Sequence, residues 1–348
     1  MSERPQTPVR YAGYTPMIGP RWKLLVACAC LSVAAVLGVQ AWKGNLTHAA
    51  YASMVRSAHT MESAIQVMRA ARVRLDLLQP RSIDPNQTGL VGSEYTDTTT
   101  SLGDLVAKRT VTNPDLAAAI TRRIYDLNLP PRSPVLLVVS GSFVGGNIAS
   151  VIALEALGHR PILISSLGAS MFGATDAALT WLDIESELRG KNIIRAKSVA
   201  AVLGGGSATG GGLMDSGVDE LRAAAMRNDV SLFETDDLDA LLDRLETAVS
   251  AVATEGAISL LVNSGGSVIA LGTCEDGDRI PTLVVGNPVG CVNGTPGLIV
   301  RAAQRGTPVL HLLNVKALAI DWGLPLDPIP LPIVGNNRFV YGATPSRE

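Results

Sequence analysis

The sequence predicts an α/β protein: a mostly parallel sheet in a three-layer, Rossmann-like domain, preceded by one transmembrane helix and a helical stalk. Three observations carry this. From Val135 onward, apolar β-branched runs alternate with amphipathic stretches of helical period; the strand-like runs are apolar throughout, as in strands covered on both faces; and one uncharged block, residues 24–42, stands apart from the rest. Composition agrees, since 47% of the chain is hydrophobic but only 4% aromatic, so the core must be built from Ala, Val, Leu and Ile.

Residues 24–42 are bracketed by Arg21, Trp22 and Lys23 on one side and Lys43 on the other. At the helical rise such a segment spans roughly 28 Å, close to the hydrocarbon thickness of a bilayer. Arg4, Arg10, Arg21 and Lys23 outweigh Lys43 and Arg56, which places the leader, residues 1–23, in the cytoplasm and the domain outside. Ala50-Tyr51-Ala52 has the small-x-small form of a signal-peptidase site, but it lies well beyond the apolar run, so an uncleaved single-pass anchor is expected.

Residues 43–87 read as stalk and linker. Tyr51, Met54, Ala58, Met61, Ile65, Met68 and Leu75 recur in steps of three and four, interrupted by Arg72, which predicts a helix over 47–78. Its stripe calls for a cover, from the same domain or from a second copy in a homo-oligomeric coiled coil; Arg69, Arg72 and Arg74 offer a membrane surface as a further alternative. Pro, Asn, Asp, Gly and Thr dominate 79–100, so the soluble domain is expected over 88–348. Ser101-x-x-Asp104 has the form of a capping box opening a helix in which Asp104 and Lys108 can pair, and Asn113-Pro114 starts the next. Strands are expected at 135–139, 162–165, 258–262, 283–285 and 308–312, and helices at 147–157, 175–188, 215–228 and 236–253. The proline-rich segment 324–332 can continue neither a helix nor a central strand, so it predicts an extended tail over the body.

A net charge of −2 provides no basic field for nucleic acid. No His or Cys cluster has zinc-ligand spacing, so no metal is expected. Cys28 and Cys30 fall within the apolar block, whereas Cys274 and Cys291 can pair in an oxidising compartment.

Ligands of parallel sheets collect at the carboxyl ends of the strands. There the turn Ser140-Gly141-Ser142-Phe143-Val144-Gly145-Gly146-Asn147 either cradles an anion or merely turns the chain. It is neither a Walker A loop nor a dinucleotide fingerprint nor a G-x-S-x-G elbow, which leaves the cofactor unknown. Gly265 and Gly266, with Arg109 as a clamp, extend the candidate anion site. The glycine cluster 203–212 is either a mobile loop over that site or a surface loop. Of four histidines, only His311 falls at the same sheet edge, so a Ser142–His311 pair oriented by Asp97 or Asp183, with Lys108 as a buried base, forms the candidate catalytic set.

Several stretches resemble the poly-γ-glutamate system protein family (PgsW-like): GSEYTDTTTSLGDLVAKRTVTNP at 92–114, SGSF with Asn147, ISSLGAS at 164–170, TWLDIE at 180–185, LGGGSATGGGL at 203–213, VNSGGSVIALG at 262–272 and HLLNVKALAIDWGLPLDPIPLP at 311–332. The resemblance covers residues 89–334 and the anchor, and departs in a longer leader. It implies a membrane component of polymer biosynthesis and export, with synthase and export proteins and the polyglutamate chain as partners, but supplies no catalytic residues. A binding or organising role is the first expectation. The alternative is a hydrolase or transferase of γ-glutamyl amide bonds, with Ser142 or a hydroxyl among Thr98, Thr99 and Thr100 as nucleophile.

Overall fold

The computed structural model describes residues 21–44, 47–253, 256–286 and 289–343. Of the expected leader, only residues 21–23 fall within these. Two compact units divide the chain, one ending at Leu46 and the other running from Thr47 to Thr344. The first contains helix α1, Arg21–Gly44, which is long and apolar enough to cross a membrane.

The second unit is built on a six-stranded sheet. Its strands are β1 (Pro134–Ser140), β2 (Arg160–Ser166), β3 (Ser198–Val202), β4 (Leu260–Ser264), β5 (Leu283–Val284) and β6 (Val309–Leu312), in the spatial order β3-β2-β1-β4-β6-β5. Every pairing is parallel except that of β5 with β6. Strand alternation explains the continuous apolar runs. Val135, Leu137 and Val139 of β1 enter one core cluster, while Leu136 and Val138 enter another, so both faces are buried. β3 escapes the sequence reading because Ser198-Val199-Ala200-Ala201-Val202 is short and has small side chains. Outside the sheet, Cys274 and Cys291 form a disulfide with Cα atoms 5.1 Å apart.

The expected stalk is corrected by the structure. Helix α2, Tyr51–Arg74, belongs to the compact unit and packs on α4 (Asp115–Asp126), α5 (Val144–Ala156) and α6 (Trp181–Gly190). Met54, Ala58, Met61 and Met68 have no exposed surface, so most of the stripe is covered within the chain, while Leu75 at its end stays exposed. The unit therefore begins near residue 47, not 88. Arg72, which interrupts the stripe, is not at a membrane surface. It is fully buried, and its Nη1 lies 2.7 Å from Asp176 Oδ2.

The proline-rich segment lies over α3, Leu105–Thr110, as expected of an extended tail. Asp327 pairs with Arg109, the Asp327 N–H donates to Thr110 Oγ1 at 3.0 Å, and Asn86 Nδ2 donates to the Pro328 carbonyl at 2.8 Å.

Because α2 is core, Met61→Ala is expected to lower unfolding stability by about 2–4 kcal/mol through the cavity it leaves. Denaturant titration of the chain in detergent measures this; an unchanged midpoint would show α2 to be a detachable stalk.

Candidate active site

The strand order reverses between β1 and β4, the point at which parallel sheets leave a crevice beyond their carboxyl ends. A cleft of about 570 Å³ opens there, lined by Ser140, Ser142, Ser166, Ser170, Gly266 and Ser267, with Gly205, Gly206, Gly211 and Gly212 forming one wall. The glycine cluster is thus a wall of the site. It is folded as a short ladder between Gly204–Gly205 and Thr209–Gly211. At Gly265, φ is +118° and a Cβ would lie 2.7 Å from that of Ser140, so only glycine lets the β4 edge approach β1 this closely.

Lys108 lies beneath this cleft. The expected Asp104–Lys108 pair does not form. Asp104 caps α3, accepting from the Ala107 N–H at 3.1 Å, and is paired with Lys316. Lys108 instead turns inward and is only 6% exposed. Its Nζ contacts Ser170 Oγ at 2.8 Å and donates to the Ser142 carbonyl, while the Phe143 ring centroid lies 5.4 Å away. Burial pushes its pKa down to about 7, with the Asp104 charge opposing the shift. Near neutral pH the amine is therefore substantially uncharged, and the Ser170 O–H can donate to its lone pair.

Ser142 stands beside this pair. Its Oγ accepts the Ser170 N–H at 2.9 Å, and its own O–H donates to nothing among the described residues. Ser170 is held by neighbours on both sides: the Ala169 N–H donates to the Thr98 carbonyl at 3.4 Å, and the Met171 N–H to the Ser101 carbonyl at 3.0 Å.

His311 does not join them. It aligns with Asn263, which aligns with Val138, two strand spacings or roughly 9–10 Å from the strand that leads to Ser142. Its Nδ1 contacts Asn263 Nδ2 at 2.9 Å, and burial lowers its pKa to about 4, so it is a neutral core residue. The proposed orienters are also engaged elsewhere: Asp97 accepts from Ser216 Oγ, and Asp183 from Thr180 and Arg227.

Of the expected anion-binding residues, Ser142 and Gly266 line the cleft. Gly145, Gly146 and Asn147 are buried in α5: Gly145 lets the helix pack against the Val111 backbone, Gly146 faces Ser264, and Asn147 Nδ2 donates to the Ser140 carbonyl at 2.8 Å. Gly141 and Gly265 shape the turns behind the cleft, while Arg109 is occupied by Asp327.

No family model, curated protein or solved structure matches the chain. The site's chemistry therefore rests on its own geometry. Sequence reasoning missed Ser170, although its signal was present: a serine four residues beyond Ser166, at the ligand-binding end of an apolar strand.

A depressed lysine pKa links stability to pH. From about pH 7 to the unfolded lysine value near 10.5, the unfolded state binds the proton that the folded state has released, so stability rises with pH. Relative to Lys108→Met, the wild-type chain is expected to gain unfolding free energy across this window. Parallel denaturation curves at pH 7 and pH 9.5 measure it, and equal changes in the two proteins would show that the amine is unperturbed.

Proposed function

We propose that this chain is a membrane-anchored hydrolase or transferase of a poly-γ-glutamate system, acting on γ-glutamyl amide bonds with Ser170 as nucleophile and Lys108 as general base. The observation that carries the reading is the 2.8 Å contact of a buried lysine, its pKa brought to about 7, with a serine hydroxyl in a cleft. Serine–lysine pairs of this kind perform acyl transfer without histidine.

In the proposed reaction Ser170 Oγ attacks the amide carbonyl carbon and its proton passes to Lys108 Nζ. The Ser142 O–H donates to the developing oxyanion. Collapse breaks the C–N bond, and Lys108 returns the proton to the leaving amine, leaving an ester on Ser170. Water or an acceptor amine then attacks the ester, with Lys108 taking the proton. Release of the acyl product regenerates the Ser170 hydroxyl.

The polymer assignment, with synthase and export proteins as partners, rests on the motif resemblance. We read the architecture as three-layer and Rossmann-like, on the strand order and the two buried sheet faces. An extracytoplasmic domain is supported by the charges flanking α1 and by the Cys274–Cys291 disulfide, a bond favoured in oxidising compartments. A non-catalytic, polymer-binding role is a second reading, favoured by the hydroxyl- and glycine-rich lining of the cleft.

The full chain in detergent is expected to shorten poly-γ-glutamate, or to transfer γ-glutamyl groups to an added amine, with kcat/KM rising through about pH 7 to a plateau. Ser170→Ala and Lys108→Met should abolish turnover, and Ser142→Ala should lower kcat about 10²–10³-fold. Binding without turnover at pH 8 would leave the accessory role in its place.

Protease treatment of sealed, inside-out membrane vesicles is expected to spare the domain, which would lie in the lumen. Digestion would place it in the cytoplasm.

A further inference from the structure

The cleft contains a row of hydroxyls that the reaction above does not use. Ser166 closes β2 and aligns directly with Ser140, which closes β1; Ser267 follows the end of β4 on the other side of β1. Adjacent strands lie about 4.8 Å apart, so Ser140 and Ser166 stand one strand spacing apart.

None of the three O–H groups has an acceptor among the described residues. Ser140 Oγ accepts from the Ser142 N–H at 3.2 Å, which leaves its proton free to donate. Ser166 is 2% exposed, and its Oγ has no hydrogen-bond partner among the described residues. Ser267 is 8% exposed and its Oγ is likewise unpartnered. It occupies the N-cap position of the short helix Val268–Leu271, where a serine ordinarily accepts a backbone N–H, yet its side chain caps nothing. A buried hydroxyl without a partner, as Ser267 Oγ is, costs free energy, and with two further O–H groups free to donate along the same edge it marks a place where a ligand supplies the acceptor.

The ligand's class follows from the lining. Among the described residues no carboxylate lines the cleft to repel an anion, and no lysine or arginine lines it to neutralise a dianion. Lys108 sits below it, directed at Ser170. Neutral donors one strand spacing apart suit the two oxygens of a single carboxylate better than a phosphate, which favours cations. The geometry points to Ser140, Ser166 and Ser267 as a carboxylate-binding subsite, which selects an acyl group carrying a free acid for attack by Ser170. The selection step rests on the acyl-transfer reading; binding of the acid does not.

The test is therefore an equilibrium one. Calorimetry of the full chain carrying Lys108→Met, in detergent at pH 8, measures binding of glutarate and of its uncharged diamide, glutaramide. Glutarate is expected to bind more tightly than the diamide. Ser166→Ala and Ser267→Ala should each weaken glutarate about tenfold, the loss of one hydrogen bond to a charged group, and shift the diamide far less. Ser267→Thr, which keeps the hydroxyl, should retain glutarate affinity and so separates loss of the donor from loss of folding. No glutarate binding, affinity unchanged in both alanine variants, or equal losses for acid and diamide would each overturn the subsite. Glutarate binding with these losses, in a chain whose Lys108-containing form turns nothing over, would uphold the subsite and reject the amide-cleaving reading instead.

Discussion

A guanidinium with no exposed surface, that of Arg72, joins the segments on which the site depends. Its Nε donates to the Gly89 carbonyl at 2.8 Å, and its Nη1 donates to the Leu77 carbonyl at 3.2 Å and to Asp176 at 2.7 Å. Ser93 donates to the other Asp176 oxygen. From this point the links run toward the cleft: Thr175 Oγ1 and the Phe172 N–H both donate to the Ser93 carbonyl, and the Thr96 and Thr98 hydroxyls donate to the Thr175 carbonyl at 2.5 and 2.6 Å. Ser170 sits within the segment so fixed. Losing either charge of a buried pair strands the other and costs about 3–5 kcal/mol, so α2 and the loop that carries Ser170 are held by one interaction.

Lys108 and Arg109 show how adjacent cations acquire opposite roles. Successive helical residues point about 100° apart, so one can face the tail while the other faces the interior. Arg109 takes Asp327, a partner brought by the proline-rich segment. Lys108 has no carboxylate within reach, because Asp104 is committed to its cap and to Lys316. Desolvation then dominates and the amine gives up its charge readily, whereas an arginine in its place would remain protonated and could not serve as a base. The aspartate that sequence spacing assigns to Lys108 thus matters by being engaged elsewhere.

These particulars separate what the sequence discloses from what it does not. The strands at 135–139 and 162–165 are legible because their runs are long and apolar, and the site's edge follows from parallel topology. The α2 stripe is equally legible, but periodicity only shows that a helix has a buried face. It does not identify the cover, which here is α4, α5 and α6. The glycine run 145–146 reads like an anion cradle and is instead a packing device, because close approach to a phosphate and close approach to the Val111 backbone require the same missing Cβ. Ser170 could be placed beside Lys108 only once the fold brought together residues 62 positions apart.

His311 shows why the proposed base comes from outside the sheet. A side chain on a buried strand faces one of two packed layers, and His311 lies among such residues, with Asn263 as its partner. Burial there removes its charge, with a pKa near 4, and its register keeps it two strands from the turn after β1. Apart from the strand ends and their turns, which supply Ser140, Ser142 and Ser166, side chains reach the crevice from segments that cross above the strand ends. α3 and the loop after β2 do so, and they bring a lysine and a serine. The lysine's higher intrinsic pKa is what allows this: the same desolvation that takes an imidazole well below neutrality brings an amine down to it. At the same degree of burial, a lysine is therefore better matched than a histidine to the general-base role proposed for Lys108.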